Sequence, residues 1–95
     1  MNTMFETIHN HQERAVLDAV IAAAADYQHV NDAEFLADVA CVALNRLPPR
    51  YIRHDVDYAF YLTERERAEN EAAIREAVSF AFEFVQAKVA MRARR

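Results

Sequence analysis

No glycine occurs anywhere in the 95 residues. Glycine lets a backbone approach a phosphate closely, and it supplies the positive φ of a primed two-residue turn. Its absence excludes Walker-type and Rossmann phosphate loops and argues against a regular tight hairpin. The only cysteine, Cys41, excludes an internal disulfide framework and a multi-cysteine zinc site within one chain. The length suits a single domain over residues 1–95. With 54% hydrophobic and 27% charged residues, the chain is globular rather than disordered. A domain of this size buries a modest share of its surface, which favours a homo-oligomer.

Three segments carry helical periodicity. The first opens on Asn10-His11-Gln12-Glu13, an N-cap residue with a glutamate three positions on. Thr3-Met4-Phe5-Glu6 is a rival, earlier start. Val16, Leu17, Val20, Ile21 and Ala24 then form an apolar stripe. Asn31-Asp32-Ala33-Glu34 repeats the capping pattern, and Leu36, Val39, Ala40, Ala43, Leu44 and Leu47 line the second helix. Pro48-Pro49 stops it, since proline donates no hydrogen bond and disfavours helix in the residue before it. Thr63-Glu64-Arg65-Glu66 is the clearest capping box and starts a long third helix reaching about Arg92.

That third helix is apolar on more than one side. Ile74, Ala77, Val78, Ala81, Val85 and Val89 form one stripe, while Phe82 points away from Phe80 and Phe84, because two residues turn a helix by about 200°. A helix apolar on two sides needs two covering surfaces. The first two helices can supply both; a second copy is the reading taken, twofold pairs being the commonest oligomers. Residues 50–62 are rich in β-branched and aromatic types and read as extended, whether strand or irregular arm. The expected fold is mostly α: a small homodimeric bundle of three main helices with a short extended segment after the diproline.

The net charge is −4, from 11 Lys+Arg against 15 Asp+Glu. This balance argues against general DNA binding, and no specific DNA binding is expected. No apolar run is long enough to span a bilayer. The first residues carry no basic, apolar leader pattern, so a cytoplasmic location is expected. The local charge is more telling. Asn45 to His54 holds Arg46, Arg50 and Arg53 without an acid. Arginine forks match phosphates, and Tyr51 among them offers a stacking face for a purine. The competing reading pairs these arginines with Asp38, Asp55, Asp57 or acids of another copy. Four histidines show no metal-ligand spacing, and Cys41 falls in an apolar helix as a small core residue. Ser79 lies mid-helix among phenylalanines, and no reacting group stands out. Neither enzyme activity nor a cofactor is expected. Arg92, Arg94 and Arg95 suit the C-terminal end of a helix dipole.

The run Asp38-Val39-Ala40-Cys41-Val42-Ala43-Leu44-Asn45-Arg46-Leu47-Pro48-Pro49-Arg50-Tyr51-Ile52 resembles the ComFB family of late competence development proteins. The opening Asn10-His11-Gln12-Glu13 followed by Val16 is similar to the family's as well. The resemblance implies a small helical homodimer that receives cyclic dinucleotides, mainly cyclic di-GMP and in some members cyclic di-AMP. Members often carry a zinc-holding cysteine cluster just before the Asp-Val pattern. Asp32, Ala33, Glu34 and Phe35 stand there in this chain, so no metal is expected. Arg46, Arg50 and Arg53 are then phosphate or guanine-edge donors, Tyr51 a stacking face, Asn45 a base-edge reader, and Asp38 an acceptor from guanine. Binding would alter the surface offered to a downstream protein. The alternative is a nucleotide-independent helical adaptor that docks through the aromatic arm Tyr58 to Leu62.

Overall fold

The computed structural model describes residues 3–30 and 32–93. Asn31, Arg94 and Arg95 lie outside the described residues, as does the side chain of His29. A 3-10 turn over Thr3–Thr7 precedes strand β1, His9–Asn10, and helix α1, His11–Ala23. A second 3-10 stretch, Ala24–Val30, leads to α2, Ala33–Asn45. Strand β2, Tyr51–Ile52, the short helix α3, Asp57–Tyr61, and the long helix α4, Glu64–Ala93, complete the chain. The fold is mostly helical, with three main helices. No described residue has a positive φ.

Three sequence signals become three caps. Asn10 caps α1, its side chain accepting from the Gln12 N–H at 3.1 Å. Asp32 rather than Asn31 provides the described cap of α2, accepting from Phe35 N–H at 2.8 Å. Thr63 and Glu66 close a reciprocal box at the start of α4. Each backbone N–H donates to the other's side chain at 3.1 Å.

The core lies where the three long helices meet. Val16, Val20 and Ala24 of the α1 region pack with Phe35, Val39, Ala40 and Ala43 of α2 and with Ile74, Val78, Ala81, Phe82 and Val85 of α4. Phe82 is fully buried, stacked on Tyr27 at 4.3 Å and tilted against Phe35 at 6.1 Å. Gln12 meets Asn70 and Tyr27 meets Phe82, so α1 runs parallel to α4. Arg46 sits on Phe80 while Asp38 and Lys88 share a cleft, so α2 runs antiparallel to α4.

Several expected core residues are exposed. Leu17 and Ile21 are 47% and 69% exposed, because the stripe Val16–Val20–Ala24 fills the contact and its neighbours fall about 100° further round. Cys41 is exposed too, on the side of α2 away from Ala40 and Ala43. Val89 is 44% exposed in the open groove between α2 and α4, beside Asp38 and Cys41. Helices α1 and α2 have 13 residues each against 30 in α4, and the last buried residue of α4 is Val85.

The stretch after the diproline forms a strand only at Tyr51–Ile52. It pairs antiparallel with β1, His9 opposite Ile52 and Asn10 opposite Tyr51, so the sheet joins distant segments and is no local hairpin. Beyond it the chain turns helical, against its β-propensity. Asp57 Oδ2 accepts from the backbone N–H groups of Arg53 and His54 at 3.3 and 3.0 Å. Those local bonds close the turn that starts α3.

Candidate functional site

The diproline elbow is fastened to the start of α1. Pro48-Pro49 end α2, and the next residue, Arg50, donates its backbone N–H to Asn10 Oδ1 at 2.8 Å. The Arg50 carbonyl accepts from His11 N–H at 2.6 Å. Asn10 therefore caps α1 and anchors the elbow with the same oxygen. Ile52, only 4% exposed, pins the short sheet from below.

A buried pair of carboxamides locks the elbow to α4. Gln12 is 0% and Asn70 4% exposed. Gln12 Nε2 donates to Asn70 Oδ1 at 2.7 Å, and Asn70 Nδ2 returns a bond to Gln12 Oε1 at 3.1 Å. Gln12 Nε2 also reaches the Pro48 carbonyl, and Asn70 Nδ2 the Tyr58 hydroxyl, both at 3.1 Å. Buried amides are stabilising only when satisfied, and this pair is. Sequence reading missed both residues. A signal was present: Gln12 and Asn70 each stand one turn before an apolar stripe, at Val16 and Ile74, in line with it.

Above this lock opens a cleft of about 340 Å³ lined by Pro49, Arg50, Tyr51, Tyr58, Tyr61 and Glu66 among others. Each wall has a cause. Tyr58 is held by Asn70 and by a stack on His11, with ring centroids 3.9 Å apart and planes 16° from parallel. The end of α3 is capped by Arg67, whose Nη1 donates to the carbonyls of Ala59 and Leu62 at 3.0 and 2.9 Å. The Glu66 carboxyl is held below its ordinary range by the Thr63 backbone N–H, then the Thr63 side chain, and to a smaller extent by the charge of Arg50. His11 is pushed down by burial, which outweighs the opposing charge of Asp55; His9 adds to the lowering.

Arg50 is half-buried and its Nε is a buried donor with no hydrogen-bond partner. An unsatisfied buried donor is costly until an acceptor reaches it. Among the described residues none of Arg46, Arg50 and Arg53 forms an ion pair; the pair found is Arg65 with Glu69 at 3.1 Å, on the surface of α4.

The structure brings only Arg50 and Tyr51 of the six candidate residues into this cleft. Arg53 lies on the N-terminal turn, its Nε donating to Thr7 Oγ1 at 2.9 Å and its Nη2 3.5 Å from Met4 Sδ. Arg46 covers the Phe80 ring at 3.8 Å. Asn45 Nδ2 donates to the Cys41 carbonyl at 2.9 Å. Asp38 lines a different groove, between α2 and α4, with Val42, Phe84 and Lys88. A zinc site does not fit: Asp32 spends its carboxylate on the α2 cap and Phe35 is core. Among the described residues no three His, Cys, Asp or Glu side chains cluster. No helix there is long and apolar enough to cross a membrane.

No curated protein matches the chain. A family model does match, that of the late competence development protein ComFB, over residues 9–89. That span holds the Asn10 cap, the diproline elbow, the cleft and nearly all of α4. On this match over most of its length, the chain belongs to the ComFB family.

Proposed function

We propose that this chain is a receptor for a cyclic dinucleotide, cyclic di-GMP before cyclic di-AMP. It works as a binding module rather than an enzyme, in the cytoplasm, as a homodimer that passes the signal to a downstream protein. One observation carries the reading. The buried, unpartnered Nε of Arg50 belongs to a side chain that lines a cleft shared with Tyr51, Tyr58 and Tyr61. A phosphate oxygen satisfies that donor, and tyrosine faces stack on a purine. At about 340 Å³ the cleft falls at the lower end of small-molecule sites, a size for one half of a cyclic dinucleotide. A twofold pair presents two such clefts to a twofold ligand. Family membership supports the same ligand class. Arg50 and Tyr51 are the contacts this reading relies on; Arg46, Arg53, Asn45 and Asp38 already have other neighbours.

Calorimetric titration with a panel of cyclic dinucleotides tests it. Binding of cyclic di-GMP is expected, weakened by about tenfold or more in Arg50→Ala, the loss of a charge-assisted hydrogen bond. Absence of heat with every member of the panel overturns the reading.

A second reading has its own observation. Phe60, Tyr61 and Val56 are 79%, 66% and 62% exposed on and beside α3. An exposed aromatic patch suits a nucleotide-independent adaptor that docks a protein partner. Partner capture that ignores nucleotide and fails in Phe60→Asp selects this reading.

A further inference from the structure

We propose that Glu66 selects the base in this cleft, its carboxylate accepting from both the N1–H and the N2 amino group of a guanine. The assignment rests on the nucleotide reading above and deepens it, from a phosphate contact at Arg50 to a residue that tells guanine from adenine.

Two groups of opposite charge face the same cleft and do not meet. Arg50 and Glu66 both line it. The charge of Arg50 reaches the Glu66 carboxyl, yet among the described residues no ion pair joins the two. Each is fixed from its own side. The Arg50 backbone is bonded to Asn10 Oδ1 and to His11 N–H, and the Glu66 carboxylate accepts from Thr63 N–H at 3.1 Å. An acid and a base held open across one cleft suit a ligand that carries acceptor oxygens and a pair of donors. A guanine nucleotide has both, in its phosphate and in its base.

The capping box engages only half of the carboxylate. Glu66 Oε1 takes the Thr63 N–H, while Oε2 has no hydrogen bond among the described residues, and the side chain is exposed. The bonds from Thr63 hold the carboxyl below its ordinary range, so at neutral pH it is ionised and accepts only.

The other walls do not distinguish the bases. Tyr51, Tyr58 and Tyr61 offer faces that stack on any purine. Arg50 meets a phosphate that is the same in every cyclic dinucleotide. Among the described lining residues Glu66 alone carries a carboxylate. Guanine presents two parallel donors, N1–H and N2–H, on its Watson–Crick edge, and a carboxylate accepts both as it accepts an arginine fork. Adenine presents one donor beside the N1 lone pair, which an ionised oxygen repels.

Calorimetric titration of the full chain with cyclic di-GMP, cyclic di-AMP and cyclic di-IMP tests this. The base of cyclic di-IMP is guanine without the N2 amino group. The wild type is expected to bind cyclic di-GMP about 30-fold more tightly than cyclic di-AMP, and about tenfold more tightly than cyclic di-IMP. Glu66→Gln keeps the capping box, since glutamine serves there too. Its amide sets an N–H against the guanine donors and matches the donor–acceptor pair of adenine. Cyclic di-GMP is then expected to weaken about 30-fold, while cyclic di-AMP holds or tightens. Glu69→Gln removes a carboxylate of α4 that pairs with Arg65 instead, and leaves the ratio unchanged. The comparison with cyclic di-IMP uses the wild type and stays decisive if Glu66→Gln misfolds. A ratio that Glu66→Gln does not move, or cyclic di-IMP bound as tightly as cyclic di-GMP, overturns the role of Glu66 and leaves the nucleotide reading standing. No heat with any of the three ligands takes down that reading and this assignment together.

Discussion

At the elbow, Gln12, Asn70, Asn10 and Arg67 tie α1, the diproline segment, α3 and α4 together through directional hydrogen bonds. In the body of the bundle, Val16, Val20, Val39, Ala43, Ala81 and Phe82 pack the same helices through apolar side chains. Apolar packing tolerates changes that keep volume and patterning. A hydrogen-bonded lock does not, because one missing partner strands the other in a dry site. The body therefore supplies stability, and the elbow supplies a fixed geometry around Arg50 and Tyr51.

The contrast breaks most directly at Phe82. Phe82→Ala empties the centre of the body, where the ring is fully buried against Tyr27 and Phe35. The expected loss is about 3–5 kcal/mol of unfolding free energy, read from urea denaturation. A loss below about 1 kcal/mol, the scale of a surface change, would show that the body is not the main source of stability.

The amide pair sharpens the comparison from the other side. Gln12→Leu and Asn70→Leu each strand a buried amide, at about 1–3 kcal/mol. The double variant is expected to cost clearly less than the two losses added together, since neither amide then strands the other; the bonds to the Pro48 carbonyl and the Tyr58 hydroxyl are lost either way. Strict additivity in the double-mutant cycle would refute the lock. A milder test is Thr63→Ala, which removes one arm of the α4 capping box at about 1 kcal/mol. It is also expected to let the Glu66 carboxyl rise toward its ordinary range, followed by NMR titration.

The smallest effect expected is one of pH. His11 titrates below its ordinary 6.5 in the folded chain because burial penalises the imidazolium. The unfolded chain therefore takes up its proton first as pH falls. The contribution of His11 to stability is complete above about pH 6.5 and declines as pH drops through the folded value. Urea midpoints measured on either side of that pH are expected to show the decline, and His11→Gln to flatten it.

The body was the more legible region in the sequence. Helical spacing located α1, α2 and α4, and the capping patterns placed their starts. Periodicity marks which residues share a stripe, but it does not fix how wide the buried stripe is. Leu17 and Ile21 read as core for that reason, and Cys41 because its helix is apolar. The helical turn of α3 was hidden because Asp57 overrides the β-propensity around it with local bonds. The elbow lock was hidden because its members are 58 residues apart and polar, and a pattern of apolar residues has no term for them. The arginines of residues 46–53 looked like one cluster because they are adjacent in sequence. A diproline bend and a two-residue strand then send Arg46 to the Phe80 ring, Arg50 into the cleft and Arg53 to Thr7.

One oxygen, Asn10 Oδ1, receives both the Gln12 and the Arg50 backbone N–H groups, the latter from 40 residues away. Any pull on Arg50 is thus felt at the first turn of α1 without crossing the hydrophobic interior. Asn10→Ala removes both of these bonds at once, leaving the Arg50 carbonyl on His11 N–H and the β1–β2 pairing as the remaining parts of the joint between helix onset and bend.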